Sequence, residues 1–146
     1  MKVSNNLIKA VLLATRAHEG QYDKSNKQYI YHPLTVAQNV IEDGNNDENT
    51  VIAALLHDVA EDTDISLETL TNEFGEEVGE ALSLLTHDMS VPYMDYVRML
   101  KDNDIARAVK MGDLRHNMDL TRFEEVTPRD IERVEKYKEA YRILSE

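Results

Sequence analysis

The chain of 146 residues contains no cysteine and no tryptophan, three prolines, five glycines, and 16 lysine and arginine residues against 28 aspartate and glutamate. Each shortage removes possibilities. Without cysteine there is neither a disulfide nor a thiolate zinc site, so any metal must be held by histidine and carboxylate, and a cytoplasmic location is expected. Few glycines and prolines, many helix formers and no hairpin signal favour a compact all-α fold over a sheet. The net charge of −12 opposes binding to long phosphate backbones, which depends on many lysine and arginine contacts, so neither DNA nor RNA is an expected partner. The apolar run near the amino terminus, Val11-Leu12-Leu13-Ala14, is too short for a signal peptide or a membrane span, and no membrane association is expected. We expect one domain, residues 1–146, long enough to bury a core. Oligomeric state is left open by composition.

What is present reads as a succession of helices. Ser4 caps a first helix to His18, with Leu7, Val11 and Ala14 on its inner face and Leu12 widening the stripe. The polar segment from Gly20 to Tyr31 reads as a loop. Proline disfavours helix in the residue before it and suits the first helical position, so the second helix is expected from Pro33 to Glu42, with His32 just ahead of it and a stop at Gly44. A third helix carries the apolar run Val51 to Leu56 and continues through Asp62. Ser66 opens a short helix with Leu67, Leu70 and Phe74 inward, closed by Gly75, and the next carries Val78, Leu82 and Leu85. Pro92 opens a helix to Leu100, Asp102 or Asn103 caps one from Asp104 to Leu120, and Thr127-Pro128 begins the last, with Ile131, Val134, Tyr137, Tyr141 and Leu144 inward.

Two stretches carry chemistry. Six apolar residues without a break, Val51 to Leu56, imply a helix buried on every side, and His57-Asp58 follows directly. Buried charge is costly unless paired or bound to a metal, and a divalent cation is the evident partner. If the helix continues, Glu61 and Asp62 fall on the side of His57 and Asp58 and can face a metal and its water. The plainer reading of the acidic run is a solvated helix end. In the second stretch Lys110, Asp113 and Asn117 stand on one helical stripe, which could equally be surface. His87-Asp88 repeats the dipeptide at a helix end and reads as a polar terminus. His18 reads as structural, and His116, off the stripe, as surface or as support to a ligand.

The ordered set His32, His57-Asp58 and Asp113 resembles the HD phosphohydrolases, and within them the alarmone hydrolase domain of RelA/SpoT-type proteins and their small stand-alone relatives. Three blocks carry the resemblance: Ala17 to Gln21 with Tyr29 to Leu34, Leu55 to Asp58 with Glu61 to Thr63, and Lys110 to Asn117. It implies a compact helical HD bundle around one metal site. His32, His57, Asp58 and Asp113 would ligate one divalent metal, manganese in the family, another divalent transition metal being compatible. Glu61 and Asp62 would be the acid/base and water-positioning pair. Lys24 and Lys110 match basic pocket positions, Asn117 a residue near ribose or phosphate, and Tyr137 a pocket tyrosine; Lys24 also reads as a plain loop lysine and Tyr137 as core. The implied reaction removes pyrophosphate from the 3′ position of guanosine tetra- or pentaphosphate through a metal-bound hydroxide. The expected partner is thus a small phosphorylated nucleotide.

Two departures bear on the substrate. Asp23 stands where the alarmone hydrolases carry an arginine able to stack on a purine. Leu114-Arg115 moves a basic residue one position from Asp113, about 100° around a helix. The alternatives are therefore an HD phosphohydrolase of another nucleotide or dinucleotide phosphate, or a non-catalytic nucleotide sensor.

Overall fold

A computed structural model describes residues 2–146; Met1, the first residue of the expected domain, lies outside the described residues. The third helix, α3 (Glu48–Leu56), is the axis of the fold: every residue from Thr50 to Leu56 is buried. Around it pack α1 (Asn5–Ala17), α2 (Tyr31–Glu42), α6 (Glu76–Leu85) and α8 (Asp104–Asn117). The unbroken apolar run thus does what such a run does in a helix with neighbours on all sides. The remaining helices are α4 (Val59–Asp62), α5 (Leu67–Phe74), α7 (Tyr93–Met99) and α9 (Pro128–Ser145), with 3-10 turns at Leu100–Asp102 and Leu120–Arg122. Among the described residues there is no strand, only a lone antiparallel bridge between Tyr22 and Gln28 that closes the loop before α2. None of the described helices is long and apolar enough to cross a membrane.

Side-chain caps set most of the helix starts. Ser4 accepts from Leu7 N–H, Asp47 from Thr50, Ser66 from Thr69 and Asn103 from Ala106. Thr127 and Asp130 cap α9 reciprocally, with Pro128 in its first turn. Gly75, at φ 101°, ends α5 and opens α6 in a backbone region that side chains disfavour.

Gly112 decides how closely α2 and α8 approach. A Cβ there would lie 3.1 Å from Val36 O and 3.2 Å from Val40 Cγ2, and Asn39 Nδ2 donates to Gly112 O at 3.0 Å. The pairing brings His32, early in α2, against Asp113, next to Gly112 in α8.

Several expectations are corrected. The second helix starts at Tyr31, so His32 sits inside its first turn and not ahead of it; Pro33 is tolerated there because first-turn N–H groups have no helical partner. The third helix does not run through Asp62. His57 Nδ1 donates to Ala54 O at 2.6 Å, taking the carbonyl that Asp58 N–H would bond in a continuing helix, and the chain turns at His57-Asp58 before α4. Helix α8 ends at Asn117, short of Leu120. Leu12 and Ile131 are 47% and 52% exposed: each sits on an apolar stripe at a point where no neighbouring helix covers it. Tyr137 and Tyr141 are half-buried against the core, while Val134 and Leu144 are buried.

Candidate metal centre

The break after α3 aims two adjacent side chains at residues from α2 and α8. His32 Nε2 lies 2.9 Å from Asp113 Oδ1, and His57 Nε2 lies 3.0 Å from Asp58 Oδ2. The cross distances, His32 to Asp58 and His57 to Asp113, are both 3.6 Å. One ligand atom each of His32, His57 and Asp113 falls within 4.8 Å of the others, and all three residues are buried. The four groups expected as ligands are therefore together.

Their chemistry fits a divalent cation. With Nδ1 donating to Ala54 O, the His57 ring turns its Nε2 inward, where that buried atom has no hydrogen-bond partner among the described residues despite its closeness to Asp58. A buried imidazole nitrogen that faces a carboxylate without a hydrogen bond leaves a place that a divalent cation can fill. Burial opposes a proton on His57, yet Asp58 and Asp113 outweigh it and raise its pKa. Burial would raise Asp58 likewise, but His57 brings it down to about 2, and for Asp113 the Lys110 charge and the His32 hydrogen bond overcome burial and hold it well below the carboxylate range. Two ionised buried carboxylates call for positive charge at their centre.

A second layer fixes these four groups. Tyr29 Oη donates to Asp58 Oδ2 at 2.6 Å, and burial followed by the Asp58 charge raises the Tyr29 pKa, so the phenol stays protonated. Lys110 Nζ meets Asp113 Oδ2 at 3.0 Å beneath the rings of Tyr93 and Tyr96, and Asn117 Nδ2 donates to Asp113 Oδ1 at 3.1 Å. The stripe Lys110, Asp113, Asn117 therefore closes on itself, with both polar partners engaged by the carboxylate. His18, nearly fully buried against Tyr29, bonds Gln21 Oε1 through Nδ1 at 2.9 Å, and Gln21 Nε2 donates to Asp62 O. His18 is thus structural, and His87 is stacked on Tyr96 away from the cluster.

His116 supports His32. Its Nδ1 lies 2.7 Å from His32 Nδ1. Burial, then the charges of His32 and Arg122, push the His116 pKa down to about 4, so this ring is neutral and accepts from His32 Nδ1–H, which turns His32 Nε2 toward Asp113. His116→Ala is expected to weaken Mn²⁺ binding about 10- to 100-fold with little change in fold, and His116→Gln to recover part of it. Titration calorimetry checks this, and an unchanged Kd in His116→Ala would remove the supporting role.

Glu61 and Asp62 are exposed and lie outside the buried cluster. Glu61 Oε1 accepts from His87 N–H at 2.7 Å, whereas the Asp62 carboxyl has no hydrogen bond among the described residues. Burial, then the charges of Asp58 and Glu61, raise the Asp62 pKa. The one continuous face expected for His57, Asp58, Glu61 and Asp62 is not formed, because the helix turns at Asp58.

A cavity of about 430 Å³ opens from Asp58 and Asp113. Lys24, Asn117 and Tyr137 line it as expected; Lys110 does not. Two arginines that sequence reasoning missed, Arg122 and Arg133, also line it. Arg133 precedes Tyr137 by one helical turn, so placing Tyr137 in a pocket would have brought Arg133 with it. Arg122 lies in a non-periodic segment that gives no such signal.

A family model described as HD domain matches residues 10–121. The chain belongs to the HD domain family. This HD domain is 37% identical over 125 residues to the probable GTP pyrophosphokinase of Mycobacterium leprae, across 79% of the chain but only 16% of that protein. It is 32% identical over 120 residues to the guanosine-3′,5′-bis(diphosphate) 3′-pyrophosphohydrolase of Xenopus tropicalis, across 77% of the chain and 67% of that protein. Among solved structures, one described as a metazoan ortholog of SpoT that hydrolyzes ppGpp matches with a TM-score of 0.79 at 26% identity, over 99% of this chain and 88% of the other. The resemblance read from the three sequence blocks holds for the family and for the helical fold.

Proposed function

We propose that this HD domain is a manganese-dependent phosphohydrolase that removes the 3′-pyrophosphate from guanosine 3′,5′-bis(diphosphate)-type alarmones, as relatives with that name do. The observation that carries the reading is the unpartnered His57 Nε2, facing Asp58 beside a cavity whose walls hold Lys24, Arg122 and Arg133. His32, His57, Asp58 and Asp113 would hold the ion, which supplies Lewis acidity toward phosphate and an attacking water. Tyr29, His116, Lys110 and Asn117 keep those four groups in place. Lys110 and Asn117 act through Asp113, to which both are bonded, and Lys24, which lines the cavity, counters phosphate charge. Asp62 would take the proton from the attacking water: its carboxyl has no hydrogen bond among the described residues and its pKa is raised, while Glu61 is engaged with His87. Tyr137 forms part of the cavity wall that excludes water.

The test is pyrophosphate release from guanosine tetraphosphate by the purified protein, with and without Mn²⁺ and after chelation. Release that disappears with chelator and returns with Mn²⁺ is expected. Tight Mn²⁺ binding without pyrophosphate release would end the reading.

A further inference from the structure

Asp23 and Arg122 face the same cavity from opposite segments of the chain, one from the loop before α2 and the other from the turn after α8. Among the described residues, neither is bonded to the four groups of the metal centre. Asp23 is fixed: its Oδ1 accepts from Ser25 N–H at 2.9 Å, Ser25 Oγ at 2.8 Å and Lys27 N–H at 3.0 Å. All three bonds fall on Oδ1, so Oδ2 accepts nothing from the described residues and remains available. The opposing turn is also fixed, since Asp119 Oδ1 accepts from Thr121 N–H at 3.0 Å and from Thr121 Oγ1 at 2.5 Å.

Arg122 forms no ion pair among the described residues, and its one hydrogen bond is long, Nε to Asp119 O at 3.4 Å. By contrast Arg115 is held by Asp43 at 2.6 Å and by Glu42. The Arg122 guanidinium lies 5.2 Å from the centroid of the Phe123 ring, and Phe123 lines the cavity beside it. A planar, weakly hydrated cation backed by an aromatic ring is a surface on which another flat ring stacks. The charge of Arg122 also reaches Asp23. Burial would raise the Asp23 pKa, but hydrogen bonds from Lys27 and Ser25, joined by that charge, outweigh it and keep Asp23 ionised.

We propose that Asp23 and Arg122 together read the nucleobase: the Arg122–Phe123 pair gives the base a stacking face, and Asp23 Oδ2 accepts from the Watson–Crick edge of guanine. Guanine presents N–H donors at N1 and N2 to such an acceptor, whereas adenine presents a lone pair at N1 and no N2 amine. A fixed carboxylate therefore attracts guanine and repels adenine. The anion that departs from the alarmone hydrolase pattern becomes the source of base preference, with the stacking cation supplied by a different segment. This rests on the cavity being a nucleotide site, as proposed above.

The discriminating variant is Asp23→Asn, whose side-chain oxygen can keep the bonds to Ser25 and Lys27 while an amide donor replaces the free acceptor. kcat and KM are measured for the 3′,5′-bis(diphosphates) of guanosine and adenosine. The guanosine preference in kcat/KM is expected to fall about tenfold or more in Asp23→Asn, through KM. Arg122→Ala is expected to raise KM about tenfold for both bases with kcat nearly unchanged, and Arg122→Lys not to restore it, because an ammonium has charge but no plane. An unchanged base ratio in Asp23→Asn, or full rescue by Arg122→Lys, overturns the proposal. Calorimetric Kd values for GDP and ADP with Mn²⁺ separate this from the reaction itself. If neither tetraphosphate turns over, a GDP preference that Asp23→Asn abolishes still supports base reading, and equal or absent binding of GDP and ADP overturns it. Unaltered thermal melting of Asp23→Asn excludes loss of the loop as the cause.

Discussion

Asp58→Ala is expected to abolish Mn²⁺-dependent turnover, a loss of more than about 100-fold and so beyond the cost of removing a supporting group. The reason lies in what Asp58 touches. Its Oδ2 is 3.0 Å from His57 Nε2, 3.6 Å from His32 Nε2, and accepts from Tyr29 Oη at 2.6 Å. Truncation removes one of the two anions of the cluster, leaves the Tyr29 hydroxyl without its acceptor, and halves the negative charge available to a divalent ion. Asp58→Asn separates charge from shape, since the amide keeps the volume and can still accept from Tyr29. If Asp58→Asn binds Mn²⁺ and turns over like the unaltered protein, the carboxylate is not a ligand and the metal centre as assigned here fails.

Lys110→Met is expected to destabilise the metal-free protein by about 3–5 kcal/mol, measured as a shifted urea midpoint at constant m-value. Lys110 and Asp113 have side chains only 13% and 9% exposed, and their contact at 3.0 Å is roofed by Tyr93 and Tyr96. Removing one partner of such a pair leaves the other charge buried and uncompensated. Saturating Mn²⁺ is expected to recover much of the loss, because a second cation then faces Asp113. A Lys110 that instead served substrate would show the opposite pattern, with KM raised and the urea midpoint unmoved.

The sequence was most legible where one residue type dominates its environment. Six apolar residues from Val51 to Leu56 cannot form a wet face, and that run is the axis of the fold. Caps at Ser4, Ser66 and Asn103 were readable because each contact spans three residues. The convergence of His32, His57 and Asp113 came from family resemblance and not from periodicity, which carries no information about which helices adjoin. The turn at His57-Asp58 was hidden because it depends on one imidazole competing for one backbone carbonyl, and an uninterrupted helical pattern gives no notice of that. Exposure of Leu12 and Ile131 was likewise hidden: a stripe shows which way a residue points but not where its neighbour ends. Arg122 reaches the cavity through the path of the segment between α8 and α9, a tertiary fact with no local signature.

The absent side chain of Gly112 has a consequence for which ion the centre prefers. His32 and Asp113 ride on the two helices that this glycine lets come together, with a Cβ's position only 3.1 Å from Val36 O. The separation of α2 and α8 therefore sets the bite of the donor atoms. A methyl group at position 112 would require its neighbours on α2, Val36 O and Val40 Cγ2, to give by a few tenths of an ångström, whereas His57 and Asp58 follow α3. Bond lengths to oxygen differ by about that amount or more between Mg²⁺, near 2.0–2.1 Å, and Ca²⁺, near 2.3–2.6 Å. Any discrimination by ionic radius would thus depend in part on a residue that offers the metal no atom at all.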